Sequence, residues 1–169
     1  MRSGAWQRLD LLARNLLPFL FTLLLITLGM VPLRLPEIAP VGPALALIAV
    51  YYWTVFRPDL MPEWVVFLIG LFQDLVSGGI LGIGALTLLL VQLLVKALRR
   101  TFVGASFVAI WMIFAMVALG AELTAWLLNS ALHARLVDPE PAMLQAAMTL
   151  AFYPALAWLF GWAQRAFLR

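Results

Sequence analysis

The chain has 169 residues, of which 65% are hydrophobic and 11% are charged. Soluble domains carry about 25% charged residues, so this composition excludes an ordinary soluble domain and indicates a membrane protein. The formal net charge of +3 is typical of the loops of multi-pass proteins and does not indicate nucleic-acid binding. Cysteine is absent, which excludes disulfides and thiolate metal ligands.

The apolar runs predict six helices. A helix that crosses a hydrocarbon core about 30 Å thick needs about 20 residues, so the chain has room for about six crossings. The first run is too long for the apolar core of a signal peptide and predicts a retained helix. We therefore expect an all-α polytopic membrane protein, a compact bundle in one transmembrane domain over residues 1–169. The predicted helices cover about 16–35, 43–56, 62–77, 80–98, 103–132 and 139–162.

The basic residues predict the orientation of these helices. With six crossings, nine of the eleven lysines and arginines fall on one side of the membrane. Arg34 and Arg135 fall on the other side. Because cytoplasmic loops are enriched in basic residues, both termini are expected in the cytoplasm.

The second predicted helix ends in "YYWTVF" and is followed by the turn "RPDLMP". Tyr51, Tyr52 and Trp53 are of the types that favour the headgroup boundary of a membrane, so we expect them there. In the turn, Arg57 and Asp59 either pair with each other or contact a cytoplasmic partner. The pairing across the turn is the favoured interpretation.

The third predicted helix carries an acid inside the stretch "GLFQDLVSGGILGIGA". Asp74 lies about 18 Å along this helix, at a depth where a carboxylate needs partners. Gly70, Asp74, Ser77 and Gly78 share one face by their helical spacing. Free N–H groups near Gly79 to Gly82, at the start of the next helix, are expected to donate to the carboxylate. The stretch therefore predicts a buried re-entrant corner.

Several functions remain open for these residues. An architectural role for Asp74 is favoured over partner binding or state switching, and proton or ion transfer is the third alternative. The spacing Gly78-x-x-x-Gly82 matches the small-residue packing motif and predicts close packing within the chain. Glu122 is a second intramembrane acid, for which exposure at the outer boundary is the favoured interpretation.

No catalytic or metal-binding set is visible in the sequence. His133 is the single histidine, and no cysteine accompanies it. The serines lack a general base at any motif-like spacing. A phosphate-binding loop would need a lysine that "SGGILGIGA" does not have. We therefore expect no enzyme activity, no metal and no cofactor.

Residues 51–92 contain three short patterns: "YW" before "RPDLMP", then "GLFQDLVSG", then "LGIGAL". Together they resemble the MreD family of rod shape-determining proteins of the bacterial cell-elongation machinery, in a form like that of alphaproteobacteria. The residues that carry the resemblance are Trp53, Arg57, Pro58, Asp59, Gly70, Gln73, Asp74, Gly78, Leu81, Gly82, Ala85 and Leu86.

The resemblance implies a non-enzymatic scaffold or regulator in the bacterial inner membrane. Such a protein binds MreC and works with RodA and the class B penicillin-binding transpeptidase, directly or through MreC, in peptidoglycan synthesis and cell-shape control. Membrane lipids are the other expected partners, and nucleic acid is not expected. The matching residues, together with Gly79, are expected to form a structural or partner-binding region.

The alternative function is a substrate-binding subunit of a small-molecule transporter. In size and helix number the family is similar to the S-components of energy-coupling-factor transporters. That function predicts an outward-facing pocket, for which Trp126, Asn129 and His133 are candidates. It also predicts a small-residue face on the first helix, where "LLPFLFTLLLITLGM" offers only Gly29. This departure disfavours the transporter.

Overall fold

The computed structural model describes residues 18–29 and 42–167. Within these residues every regular element is a helix, which confirms the all-α prediction for this part of the chain. A short 3-10 helix covers Pro58–Leu60. The α-helices are α1 (Pro18–Gly29), α2 (Leu45–Phe56), α3 (Glu63–Ser77), α4 (Ile83–Ala97), α5 (Arg99–Phe102), α6 (Phe107–Leu132) and α7 (Glu140–Phe167).

The distribution of side chains is that of a helical membrane protein. Large apolar side chains point outward, and Met116 and Trp158 are 75% and 70% exposed. Polar residues such as Gln92 and Thr149 are fully buried. A soluble monomer does not expose apolar surface on this scale, because water would drive it to associate.

In the described part of the chain, two helices are long and apolar enough to cross a membrane by length and composition, Phe107–Leu132 and Glu140–Ala166. The helices Pro18–Gly29, Leu45–Phe56 and Ile83–Ala97 are apolar and shorter. A helix of 15 residues, such as α4, spans about 22 Å, which is less than the hydrocarbon core. Six crossings therefore stay a prediction. Residues 16, 17 and 30–35 of the first predicted helix lie outside the described residues.

Helix α2 lies at the centre of the described bundle. It contacts α3, α4 and α7, and its residues from Ala46 to Thr54 are all buried. Because α2 is apolar on every side, burial on every side is the favourable arrangement.

Tyr51, Tyr52 and Trp53, expected at the headgroup boundary, do not face outward, and their depth in the membrane stays a prediction. All three side chains are buried in the core. The ring of Tyr51 lies 4.9 Å from that of Phe114, and its hydroxyl donates to the Ile110 carbonyl oxygen over 2.9 Å. The aromatic residues of α2 therefore hold helices together, because α6 and α7 cover the face that carries them.

The predicted helix over 103–132 begins at Phe107 in the structure. Gly104 has a φ of +75°, and this left-handed conformation interrupts a helix. Ser106 then caps α6, because its side-chain oxygen accepts from the Ala109 N–H over 3.3 Å. The segment before Gly104 forms the separate short helix α5.

Candidate functional site

Helices α3 and α4 form an antiparallel pair joined by a glycine-rich turn, here called the α3–α4 corner (residues 74–85). Gly78 ends α3 with a φ of +67°, and Gly82 precedes α4 with a φ of +101°. Only glycine adopts these conformations without strain. The chain reverses direction within a few residues because both positions are glycine.

The close-packing interpretation of Gly78-x-x-x-Gly82 is wrong. A β-carbon at either glycine would meet no atom within 4 Å. The two residues belong to the turn, whose residues 77–81 are all exposed, so the expectation of a corner buried in protein is wrong for the turn. Glycine is required at Gly78 and Gly82 by the backbone conformation, and not by a neighbouring helix.

The carboxylate of Asp74 binds the beginning of α4: of the expected donors near Gly79 to Gly82, Gly82 donates, and Gly84 and Ala85 donate as well. Its Oδ2 accepts from the Gly82 N–H over 2.8 Å and from the Ala85 N–H over 3.4 Å. Its Oδ1 accepts from the Gly84 N–H over 3.0 Å. These N–H groups have no partner inside α4, because the first turn of a helix leaves its donors free. The negative charge also lies at the positive end of the α4 dipole.

Two other glycines provide the close packing of this corner. A β-carbon at Gly70 would lie 2.7 Å from the Ala85 nitrogen, closer than van der Waals contact permits. A β-carbon at Gly84 would collide with the Asp74 carboxylate. Gly70 therefore lets α3 approach the α4 backbone, and Gly84 leaves room for the acid.

The opposite end of the α3–α4 pair is held by side chains of α4. Gln92 is 0% exposed, and its Nε2 donates to the Met61 carbonyl oxygen over 2.5 Å. Lys96 forms an ion pair with Glu63 over 2.5 Å. The sequence interpretation missed the role of Gln92; its position in an apolar run was the available signal.

The expected ion pair between Arg57 and Asp59 is wrong, because no such contact lies within 4.0 Å in the described structure. Backbone hydrogen bonds close the turn instead, from Leu60 N–H to the Arg57 oxygen and from Met61 N–H to the Pro58 oxygen. Pro58 begins the 3-10 helix. Asp59 is exposed and Arg57 is half-buried. Trp53 packs in the core beneath this turn.

Gln73 and Glu122 meet at a cavity and do not join the hydrogen bonds of Asp74. The cavity has a volume of about 90 Å³ and lies between α3, α4, α6, α7 and the start of α2. Glu122 is half-buried, so the expected exposure at an outer boundary is wrong. The residues that line it are Ala44, Leu47, Gln73, Gly84, Thr87, Leu88, Ala121, Glu122, Ala125 and Gln145.

The pocket candidates of the transporter alternative are engaged elsewhere. Trp126 Nε1 donates to the Val137 oxygen over 3.0 Å. Asn129 Nδ2 donates to the Ala125 oxygen, and His133 Nδ1 lies 2.8 Å from the Asn129 oxygen. None of the three lines the cavity of Glu122. Within the described ranges, no group of three or more histidine, cysteine or acidic residues could hold a metal ion.

Comparison with known proteins gives one family. The family model of the rod shape-determining protein MreD matches residues 10–163. No curated protein and no solved structure matches the chain. The match includes both ends of the α3–α4 pair and the cavity, and it extends over most of the 169 residues. The chain belongs to the MreD family, whose members determine rod shape as part of the elongasome.

Proposed function

We propose that this chain is a non-enzymatic, multi-pass scaffold of the bacterial inner membrane that binds MreC. Through MreC, or directly, it supports RodA and the class B penicillin-binding transpeptidase in peptidoglycan synthesis. The observation that carries this proposal is the family match over residues 10–163, because MreD is a family of shape-determining proteins and not a known enzyme family.

The construction of the α3–α4 pair supports a scaffold. Asp74 joins the two helices at the corner, and Gln92 joins them to the Met61 turn at the other end. A pair held at both ends presents a fixed surface to a partner, since its helices cannot separate without breaking buried hydrogen bonds. The residues of the family resemblance lie on this pair and on the turn before it, and we propose them as the structural or partner-binding region.

The membrane arrangement belongs to the same proposal. We propose six crossings with both termini in the cytoplasm, supported by the asymmetry of the basic residues. When fused to the C-terminus, a reporter that works only in the cytoplasm is expected to be active. Activity of a reporter that works only outside the membrane would contradict this arrangement.

The scaffold is tested by purifying the tagged chain from its native membrane at near-native expression and identifying its partners by mass spectrometry. We expect to recover MreC together with RodA or the transpeptidase. The variant Asp74→Leu is expected to recover less MreC per molecule of scaffold. The control variant Gly120→Ala places a methyl group in open space and is expected to recover as much as the native chain.

Recovery of an ATPase pair and a coupling membrane protein would instead establish the transporter alternative. The size of the cavity argues against that alternative. Sites for drug-sized ligands have volumes of about 300–1,000 Å³, whereas a second cavity between α4 and α6 has about 170 Å³ and the cavity of Glu122 has about 90 Å³. A vitamin-sized substrate does not fit in either cavity.

A further inference from the structure

The cavity between α3, α4, α6 and α7, here called the polar cavity, contains polar side chains that take no part in the hydrogen bonds of the α3–α4 pair. Alanine and leucine side chains form the apolar part of its wall. Four polar side chains complete it, those of Gln73, Thr87, Glu122 and Gln145. Since they come from four different helices, the fold and not a local motif brings them together.

Two of these side chains each have a buried polar atom without a partner among the described residues. Thr87 is 7% exposed, and its Oγ1 has no hydrogen-bond partner among the described residues. The Oε1 of Gln73 is also buried and has none among them. A buried polar atom left unpaired costs about 1–3 kcal/mol, so two such atoms in the wall of one cavity favour an occupant.

The charge of the cavity is unbalanced as well. Glu122 is the ionisable residue in its wall, and no lysine, arginine or histidine lines it within the described ranges. Glu122 also makes no ion pair with a described residue. A carboxylate in a membrane bundle stays ionised only with a compensating partner, and without one it takes up a proton.

These features specify the occupant. The carboxylate and the Gln73 Oε1 are acceptors, and the Thr87 hydroxyl oxygen accepts as well, so the occupant must donate hydrogen bonds. One carboxylate matches one positive charge. The volume of about 90 Å³ equals about three water molecules at their share of the liquid, which is room for a compact group and not for a large one.

We propose that the polar cavity binds a primary ammonium group. Such a group carries one positive charge and three N–H donors, which match Glu122, Gln73 and Thr87. Water would satisfy Gln73 and Thr87 but would leave the carboxylate without a counter-charge. The source is either the headgroup of phosphatidylethanolamine or a free small amine, since both carry the same chemistry. This site goes beyond the scaffold and does not depend on it.

The polar cavity also touches the α3–α4 corner. Gly84 lines it and donates its N–H to Asp74. An occupant therefore contacts the same turn of α4 that the acid caps. Binding is expected to raise the thermal stability of the bundle, because a ligand that binds only the folded state stabilises it.

The test measures thermal unfolding of the purified chain by tryptophan fluorescence, with ethylammonium chloride as the probe at constant ionic strength. We expect a saturating rise in Tm for the native chain and for the control Glu140→Gln, which changes an exposed acid. In Glu122→Gln the half-saturating concentration is expected to increase at least about tenfold. Tetramethylammonium, which has no N–H donor, is expected to have no effect.

A second variant separates binding from folding. Thr87→Val removes a hydroxyl that has no partner, so without ammonium its Tm is expected to equal or exceed that of the native chain. Its response to ethylammonium is expected to weaken. The matched control Thr124→Val changes a threonine that does not line the polar cavity and is expected to respond like the native chain.

Nanodiscs identify the source. If phosphatidylethanolamine raises Tm relative to phosphatidylcholine and ethylammonium then adds nothing, the headgroup occupies the site. If phosphatidylethanolamine leaves Tm as it is in phosphatidylcholine while ethylammonium raises Tm in both lipids, the site takes a free amine. An equal response to sodium or tetramethylammonium, an unchanged response in Glu122→Gln, or no response to ethylammonium or phosphatidylethanolamine would overturn the proposal.

Discussion

The carboxylate of Asp74 caps a helix that begins after a turn in the chain. It accepts from three N–H groups at the start of α4 and is 6% exposed. An N–H group that loses its acceptor on burial costs about 1–3 kcal/mol, so these donors depend on the carboxylate. Asp74 therefore gains the hydrogen-bond partners that its burial requires, and the free N–H groups of α4 gain an acceptor.

The stability of Asp74 variants is expected to follow the number of hydrogen-bond acceptors that each substitution keeps. Asp74→Asn keeps one oxygen and turns an amide nitrogen toward a donor, which should lower the free energy of unfolding by about 1–3 kcal/mol. Asp74→Leu removes every acceptor and should cost more. Thermal unfolding in detergent measures both, and Asp59→Asn, which changes an exposed acid, is the control. Equal stability of all three variants would show that the hydrogen bonds contribute nothing.

Most of the residues that carry the resemblance to the MreD family lie in the α3–α4 pair. Its helices approach closely because Gly70 faces the Ala85 backbone. The corner holds one end through Asp74, and Gln92 and Lys96 hold the other. The pair therefore depends on a few positions at its two ends and on one glycine in its interface.

Gly70→Ala is expected to destabilise the pair by about 1–3 kcal/mol, because the added methyl group overfills the contact with Ala85. Gly120→Ala is the matched control on α6, where the new methyl group meets nothing within 4 Å. That change should leave stability unchanged or raise it, since alanine favours helix. Thermal unfolding compares the two, and a loss of stability in the control as large as that in Gly70→Ala would contradict close packing.

The buried hydrogen bond of Gln92 is expected to matter more than the neighbouring ion pair. Gln92→Met keeps the length of the side chain and leaves the Met61 carbonyl without this donor, which should cost about 1–3 kcal/mol. Lys96→Met breaks a pair whose side chains are 30% and 60% exposed, and exposed pairs contribute little. Unfolding in detergent should therefore show the larger loss of stability for Gln92→Met. A larger loss for Lys96→Met would show that the ion pair contributes more than the hydrogen bond.

The whole molecule places apolar surface outside and polar contacts inside. Outward residues such as Met116 and Trp158 suit lipid, whereas Asp74, Gln92 and Thr149 are buried. A membrane gives no hydrophobic drive for helices to associate, so close packing and buried hydrogen bonds stabilise the bundle. The same construction leaves exposed helix faces as the surface available to a membrane partner.

Cell shape reports on the molecule as a whole. In cells whose single copy carries Asp74→Leu, we expect wider or rounded cells, because a loosened α3–α4 pair presents an altered surface. Microscopy measures the shape and immunoblotting the protein level, with Gly120→Ala as the control. Normal rods at a normal level of Asp74→Leu protein would show that Asp74 has no role in the complex.

The sequence by itself determined the helical class, the family and the binding of Asp74 to the start of α4. Each of these depends on signals between near neighbours: apolar runs, an acid, and glycines just before a new helix. The tertiary structure decided which faces meet. It buries Tyr51 to Trp53, places Gln92 on Met61, moves the close packing to Gly70 and Gly84, and lines one cavity with both Gln73 and Glu122. These outcomes depend on the rotation of each helix about its axis and on neighbours distant in the chain, which local patterns do not encode.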